Sequence, residues 1–99
     1  MNVLESTSVQ RLFRVIQNLE TPEECRLFFE DICTIREIQD MAQRLDVAFL
    51  LSEGKNYQEI SAQTTVSSAT ISRVNRCLVY GGGGFRTALE KWQKAEEDT

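Results

Sequence analysis

A chain of 99 residues with 41% apolar and 26% charged side chains suits a single globular domain with a limited core, not a disordered tail. It contains no histidine, which removes the usual general base and the usual partner for zinc-binding cysteines, so enzymatic and metal chemistry are not expected. No apolar run approaches the ~20 residues that span a bilayer. The opening Met-Asn-Val-Leu-Glu-Ser lacks the basic start and apolar stretch of a secretory signal, so a cytoplasmic location is expected.

The net charge of −4 is unevenly spread. Between Gly54 and Thr87 stand Lys55, Arg73, Arg76 and Arg86 against the single acid Glu59, whereas the remainder holds seven basic and fourteen acidic residues. This is a basic segment carried by an acidic body, and the distribution bears on partners more than the sum does. The three cysteines, Cys25, Cys33 and Cys77, are odd in number and scattered. They read as small apolar fillers in a reducing compartment, not as a disulfide framework.

In chain order, Val9, Leu12, Phe13, Ile16 and Leu19 recur at helical spacing and predict a helix over about Ser8 to Leu19. Thr21-Pro22-Glu23-Glu24 opens a second helix, with threonine as cap, proline at the first helical position and Glu24 reaching back. Leu27, Phe28 and Ile32 supply its apolar stripe. Thr34-Ile35-Arg36-Glu37 is another capping box and starts the longest helix, which Gly54 ends by turning left-handed. Asn56-Tyr57-Gln58-Glu59 caps a short helix to about Gln63. Thr64 to Ser67 read as a turn. Ser67 or Ser68 caps a helix to about Leu78. Gly81 to Gly84 break the pattern and read as a flexible hinge. Phe85, Ala88, Leu89, Trp92 and Ala95 mark a last amphipathic helix. Phe28, Phe29, Phe49 and Trp92 are expected in the core.

The two short helices around a tight connection predict a helix-turn-helix over about Asn56 to Leu78. Ile60, Val66, Ile71 and Val74 fall where such a pair needs apolar locks, and Ser61 is small where the helices approach. Thr65 occupies a turn position where glycine is common, and its branched side chain resists a positive φ. The outer face of the second helix offers Ser68, Ala69, Thr70, Ser72, Arg73 and Arg76. These side chains are short or cationic and none is a carboxylate, as a helix seated in a DNA major groove requires.

With those residues in view, the chain resembles the Trp-repressor superfamily, within its YerC/YecD-like branch, over about Thr21 to Trp92. The resemblance is carried by Thr34-Ile35-Arg36-Glu37, Arg44, Tyr57-Gln58-Glu59-Ile60 and above all Ala69-Thr70-Ile71-Ser72-Arg73, with Asn75 and Leu78 after it. It implies an all-α, six-helix fold, a single domain over 1–99 that forms an intertwined homodimer. Residues 1–54 would be the helical dimerisation body, 55–80 the helix-turn-helix and 85–96 the C-terminal helix. Two reading units would meet two half-sites of double-stranded DNA about one helical turn apart. Carried over by position, the implied DNA contacts are Gln58, Ser61, Ser67, Ser68, Ala69, Thr70 and Ser72. Charge adds Lys55, Arg73 and Arg76 as phosphate contacts.

The resemblance also implies a ligand site. In the Trp repressor, tryptophan lies between two arginines that Arg44 and Arg73 match, with a threonine matched by Thr34 nearby. Val74 stands where the repressor has glycine beside the indole ring, and Cys77 where it has a serine. The added bulk and the weaker hydrogen-bonding group disfavour tryptophan, while an anionic small-molecule effector suits two arginines. A solvated Arg44, or one paired with Asp40 or Glu37, is the competing reading. The function expected is a sequence-specific DNA-binding repressor without catalysis or cofactor. The alternative is a protein-interaction adaptor that keeps the fold without specific DNA binding.

Overall fold

Local chemistry sets where each helix begins. In the computed structural model, which describes residues 2–99, a short 3-10 turn at Val3–Glu5 precedes six helices: α1 Thr7–Gln17, α2 Pro22–Ile32, α3 Ile35–Ser52, α4 Tyr57–Gln63, α5 Ser68–Tyr80 and α6 Gly84–Glu97. No strand occurs among the described residues, so the fold is all-α. The Ser6 hydroxyl accepts from the Val9 N–H at 3.2 Å and caps α1. Thr21 does the same for Glu24 at 3.1 Å. The Glu24 carboxylate accepts from the Glu20 N–H at 2.8 Å, one residue before the cap. The box at Thr34 is fully reciprocal. Its hydroxyl accepts from the Glu37 N–H at 3.0 Å, and its own N–H donates to the Glu37 carboxylate at 2.8 Å. These contacts satisfy donors that a helix start otherwise leaves open.

The chain divides into two compact units, with the boundary between Ile38 and Gln39 inside α3. The first holds α1, α2 and the opening of α3. Neither α1 nor α2 has a buried residue. Phe13, Leu27 and Ile32 are 47%, 49% and 52% exposed. On the polar face of α2, Arg26 pairs with both Glu23 and Glu30. The hydrogen bond to Glu23 first, and Glu30 after it, raise its guanidinium pKa further.

The second unit contains the core. Val47 and Ala48 of α3, Ile60 of α4, Ile71 and Val74 of α5 and Leu89 of α6 are buried together, with Phe49, Leu50, Leu51, Val66, Leu78 and Phe85 packed around them. The apolar locks expected between α4 and α5 are therefore in place, with Val66 only half-buried. Gly54 takes φ +87° and ends α3 as its position implied. The α4–α5 connection differs from the expected tight turn. Thr64 and Ser67, its first and last residues, are extended, at φ −130° and −69°. No non-glycine residue among those described has a positive φ. Thr65 thus escapes the strained conformation, because the chain crosses between the helices in extended backbone.

Three other expectations change. Trp92 is 55% exposed and meets Phe49 edge-on at 6.4 Å, so it flanks the core instead of filling it. Phe28, Phe29 and Phe49 are half-buried. Cys25 and Cys77 are exposed free thiols, not apolar fillers, and Cys33 is half-buried. Within the glycine run, two positions carry definite backbone roles. Gly83 takes φ +91°, and a Cβ at Gly81 would fall 2.3 Å from the Cys77 carbonyl oxygen. Gly82 and Gly84 face open space.

Candidate nucleic-acid interface

The α4–α5 pair is pinned from one side and open on the other. Ile71 and Val74 turn inward from α5. Ser68, Ala69, Ser72, Arg73 and Arg76 are exposed on its opposite side, and Gln58 and Ser61 are exposed on α4. Thr70 is half-buried. Ser67 is exposed, but its hydroxyl serves first as the cap of α5. It accepts from the Thr70 N–H at 3.2 Å and lies 3.1 Å from the Thr70 hydroxyl. The N-terminal end of α5 is thereby capped, and it presents small side chains.

The four cations of the basic segment have different fates. Lys55 lies 3.9 Å from the Glu59 carboxylate, so part of its charge is answered within its own helix start. Arg86 donates to the Leu78 carbonyl at 2.8 Å, at the far end of α5. Arg73 and Arg76 remain together. With Ala69 and Ser72 they line an open cavity of about 340 Å³ that no carboxylate borders. This is a concentrated positive patch beside short polar side chains, suited to a phosphate run flanking a groove.

Arg73 has a second exposure. It and Arg44 border another open cavity, of about 440 Å³, lined otherwise by Met41, Leu45, Val74, Phe85 and Cys77. Arg44 is half-buried there and makes no ion pair among the described residues. The expected alternative of a pairing with Asp40 is therefore not what the structure has. Val74 is 1% exposed and part of the core, so its methyl groups occupy volume that a glycine would leave free. Two guanidiniums beside an apolar lining suit an anion with an apolar body. Thr34 belongs to the first unit, where its hydroxyl and N–H are committed to Glu37.

Two features of this site have no signal in the sequence. The dual placement of Arg73 depends on α3 lying beside α5, and Arg86 reaches a carbonyl eight residues back across a glycine run. Neither follows a 3.6-residue period or a capping pattern. A group of histidine, cysteine or acidic residues able to hold a metal does not occur among the described residues, and no helix is long and apolar enough to cross a membrane.

The profile of the family described as Trp repressor protein matches residues 7–93. YerC of Bacillus subtilis (strain 168) is 46% identical over 96 residues, which cover 97% of this chain and 92% of YerC. Among solved structures, a TrpR-like protein from Eubacterium eligens superposes with a TM-score of 0.89 at 43% identity, covering 94% of this chain and 96% of that one. A second, from Staphylococcus aureus, gives 0.86 at 40% identity, covering 91% and 90%.

Proposed function

The chain belongs to the Trp repressor protein family, whose members are regulators and not enzymes, and on that premise we propose that it is a sequence-specific DNA-binding repressor. It works in the cytoplasm as an intertwined homodimer. Residues 1–54 form the dimerisation body, 55–80 the helix-turn-helix and 85–96 the C-terminal helix, within a single domain over 1–99. In each protomer α5 enters the major groove. Gln58, Ser61, Ser67, Ser68, Ala69, Thr70 and Ser72 face base edges, and Lys55, Arg73 and Arg76 hold phosphates. The observation that carries this reading is the pairing of Arg73 with Arg76 beside Ala69 and Ser72, on the solvent side of a helix whose other side is locked into the core.

The cavity between Arg44 and Arg73 takes a small anionic effector, with tryptophan disfavoured by the buried bulk of Val74. Because Arg73 borders both this cavity and the patch with Arg76, a ligand held there bears directly on a DNA-contacting side chain.

The test is a selection of purified protein against a random duplex pool, followed by binding to the recovered sequence over a range of salt. A palindrome with half-sites about one turn apart is expected. The Arg73→Ala/Arg76→Ala double variant should bind it weakly, with a log–log salt slope reduced by about 0.9 for each phosphate no longer neutralised. No enrichment at low salt, with or without candidate anions, would favour the adaptor reading instead.

A further inference from the structure

α5 ends without a cation of its own. Its last turn contains no basic residue, although a helix C-terminus leaves carbonyls open and carries partial negative charge. The Cys77 carbonyl is met by the Gly81 N–H at 2.9 Å. The Leu78 carbonyl is met by Arg86, from the first turn of α6, at 2.8 Å. Between them lies Gly81–Gly84, a stretch whose composition alone predicts slack. The structure instead ties both ends of it. Gly81 is closed against Cys77, and the Gly83 carbonyl accepts the Thr87 N–H at 2.9 Å, starting α6. Arg86 then spans the run as a strap.

We propose that Arg86 is a positioning residue that fixes the direction of α5 relative to α6, whose Leu89 is buried with Val47 and Ala48 of α3, and so sets the half-site spacing the protein accepts. This rests on the DNA-reading proposal above. It assigns to Arg86 a task different from that of Arg73 and Arg76. All three are cations of one segment, but Arg86 spends its guanidinium on a helix carbonyl, so it acts through geometry and not through phosphate charge. A charged donor at a helix C-terminus is favourable in itself. Its position eight residues after its acceptor makes it a bridge between two helices as well.

The test compares wild type, Arg86→Ala and Arg86→Lys in selections from duplex pools in which the spacing between half-sites varies, with salt titrations on the preferred site. Unfolding curves confirm that each variant is folded at the assay temperature. Arg86→Ala should lose roughly three- to fivefold in affinity for the preferred spacing and accept neighbouring spacings that wild type rejects, with an unchanged salt slope. Arg86→Lys keeps a charged donor and should restore much of the spacing preference. If the alanine variant does not fold, Arg86→Gln, which keeps a neutral donor but removes the charge, replaces it and should show the same loss of spacing preference. A salt slope lowered by about 0.9 per Arg86 removed, with spacing preference intact, would make Arg86 a phosphate ligand and overturn the strap. Unchanged affinity and spacing would overturn it too. Failure of wild type to select any site would remove the DNA reading itself, and the proposal with it.

Discussion

The helices before Ile38 and those after Gln39 are equally regular, yet they are held by different means. In α1 and α2 the stabilising features are local: hydroxyl caps at Ser6 and Thr21, and Arg26 between Glu23 and Glu30. Their apolar stripes bury no residue fully. In the second unit the helices are joined by shared burial, with Val47, Ala48, Ile60 and Ile71 at 0% exposure. A helix of eleven residues is marginal in isolation, and most helical stability comes from packing of an amphipathic face. The first unit therefore leaves apolar side chains of α1 and α2 uncovered, and the second is the part that carries its own core. That contrast supports the proposal that α1 and α2 take part in dimerisation while the α4–α5 pair reads DNA; the second half of α3, within the proposed 1–54 body, instead belongs to the core of the second unit.

The largest effect expected from breaking this contrast is in the core. Ile71→Ala should destabilise the protein by about 2–5 kcal/mol, measured by chemical denaturation, because it empties a fully buried site beneath the exposed face of α5. A cost below about 0.5 kcal/mol, the ordinary size for a surface change, would mean that the second unit is not independently packed. Phe13→Ala in the first unit comes next. If a second copy covers this residue, its loss costs about 2 kcal/mol of association, and sedimentation should show the variant dissociating at concentrations where wild type stays paired. An equal Tm loss at all concentrations, with association unchanged, would place the burial of Phe13 within one chain.

The smallest effect concerns the start of α3. The Thr34 N–H, and with it the Thr34 hydroxyl, hold the Glu37 carboxyl below its ordinary value of 4.5. A depressed carboxylate stabilises the fold above that ordinary value, and the contribution is lost as pH falls through the lower folded value. Glu37→Gln should therefore lower Tm slightly at neutral pH, and the difference from wild type should close in acid. A difference that persisted or grew in acid would mean that the charged capping bond is not its source.

Much of this architecture is legible in the chain because it rests on short-range rules. The caps at Thr21, Thr34 and Asn56, the left-handed Gly54, the small residues of α5 and the inward Ile71 and Val74 are all set by neighbours three or four positions away. The first-turn contacts formed as those patterns imply. What the linear pattern left open concerns spatial allocation. Four cations between Gly54 and Thr87 look alike in sequence, but folding gives Lys55 to Glu59, Arg86 to Leu78, and leaves Arg73 with Arg76 on one side and Arg44 on the other. Trp92 has the spacing of a core residue and lies more than half exposed. Helical periodicity assigns a residue to one face of its own helix. Which carbonyl, carboxylate or cavity that face meets depends on how separate helices cross, and hence on the packing of Val47, Ile60, Ile71 and Leu89 around a common centre.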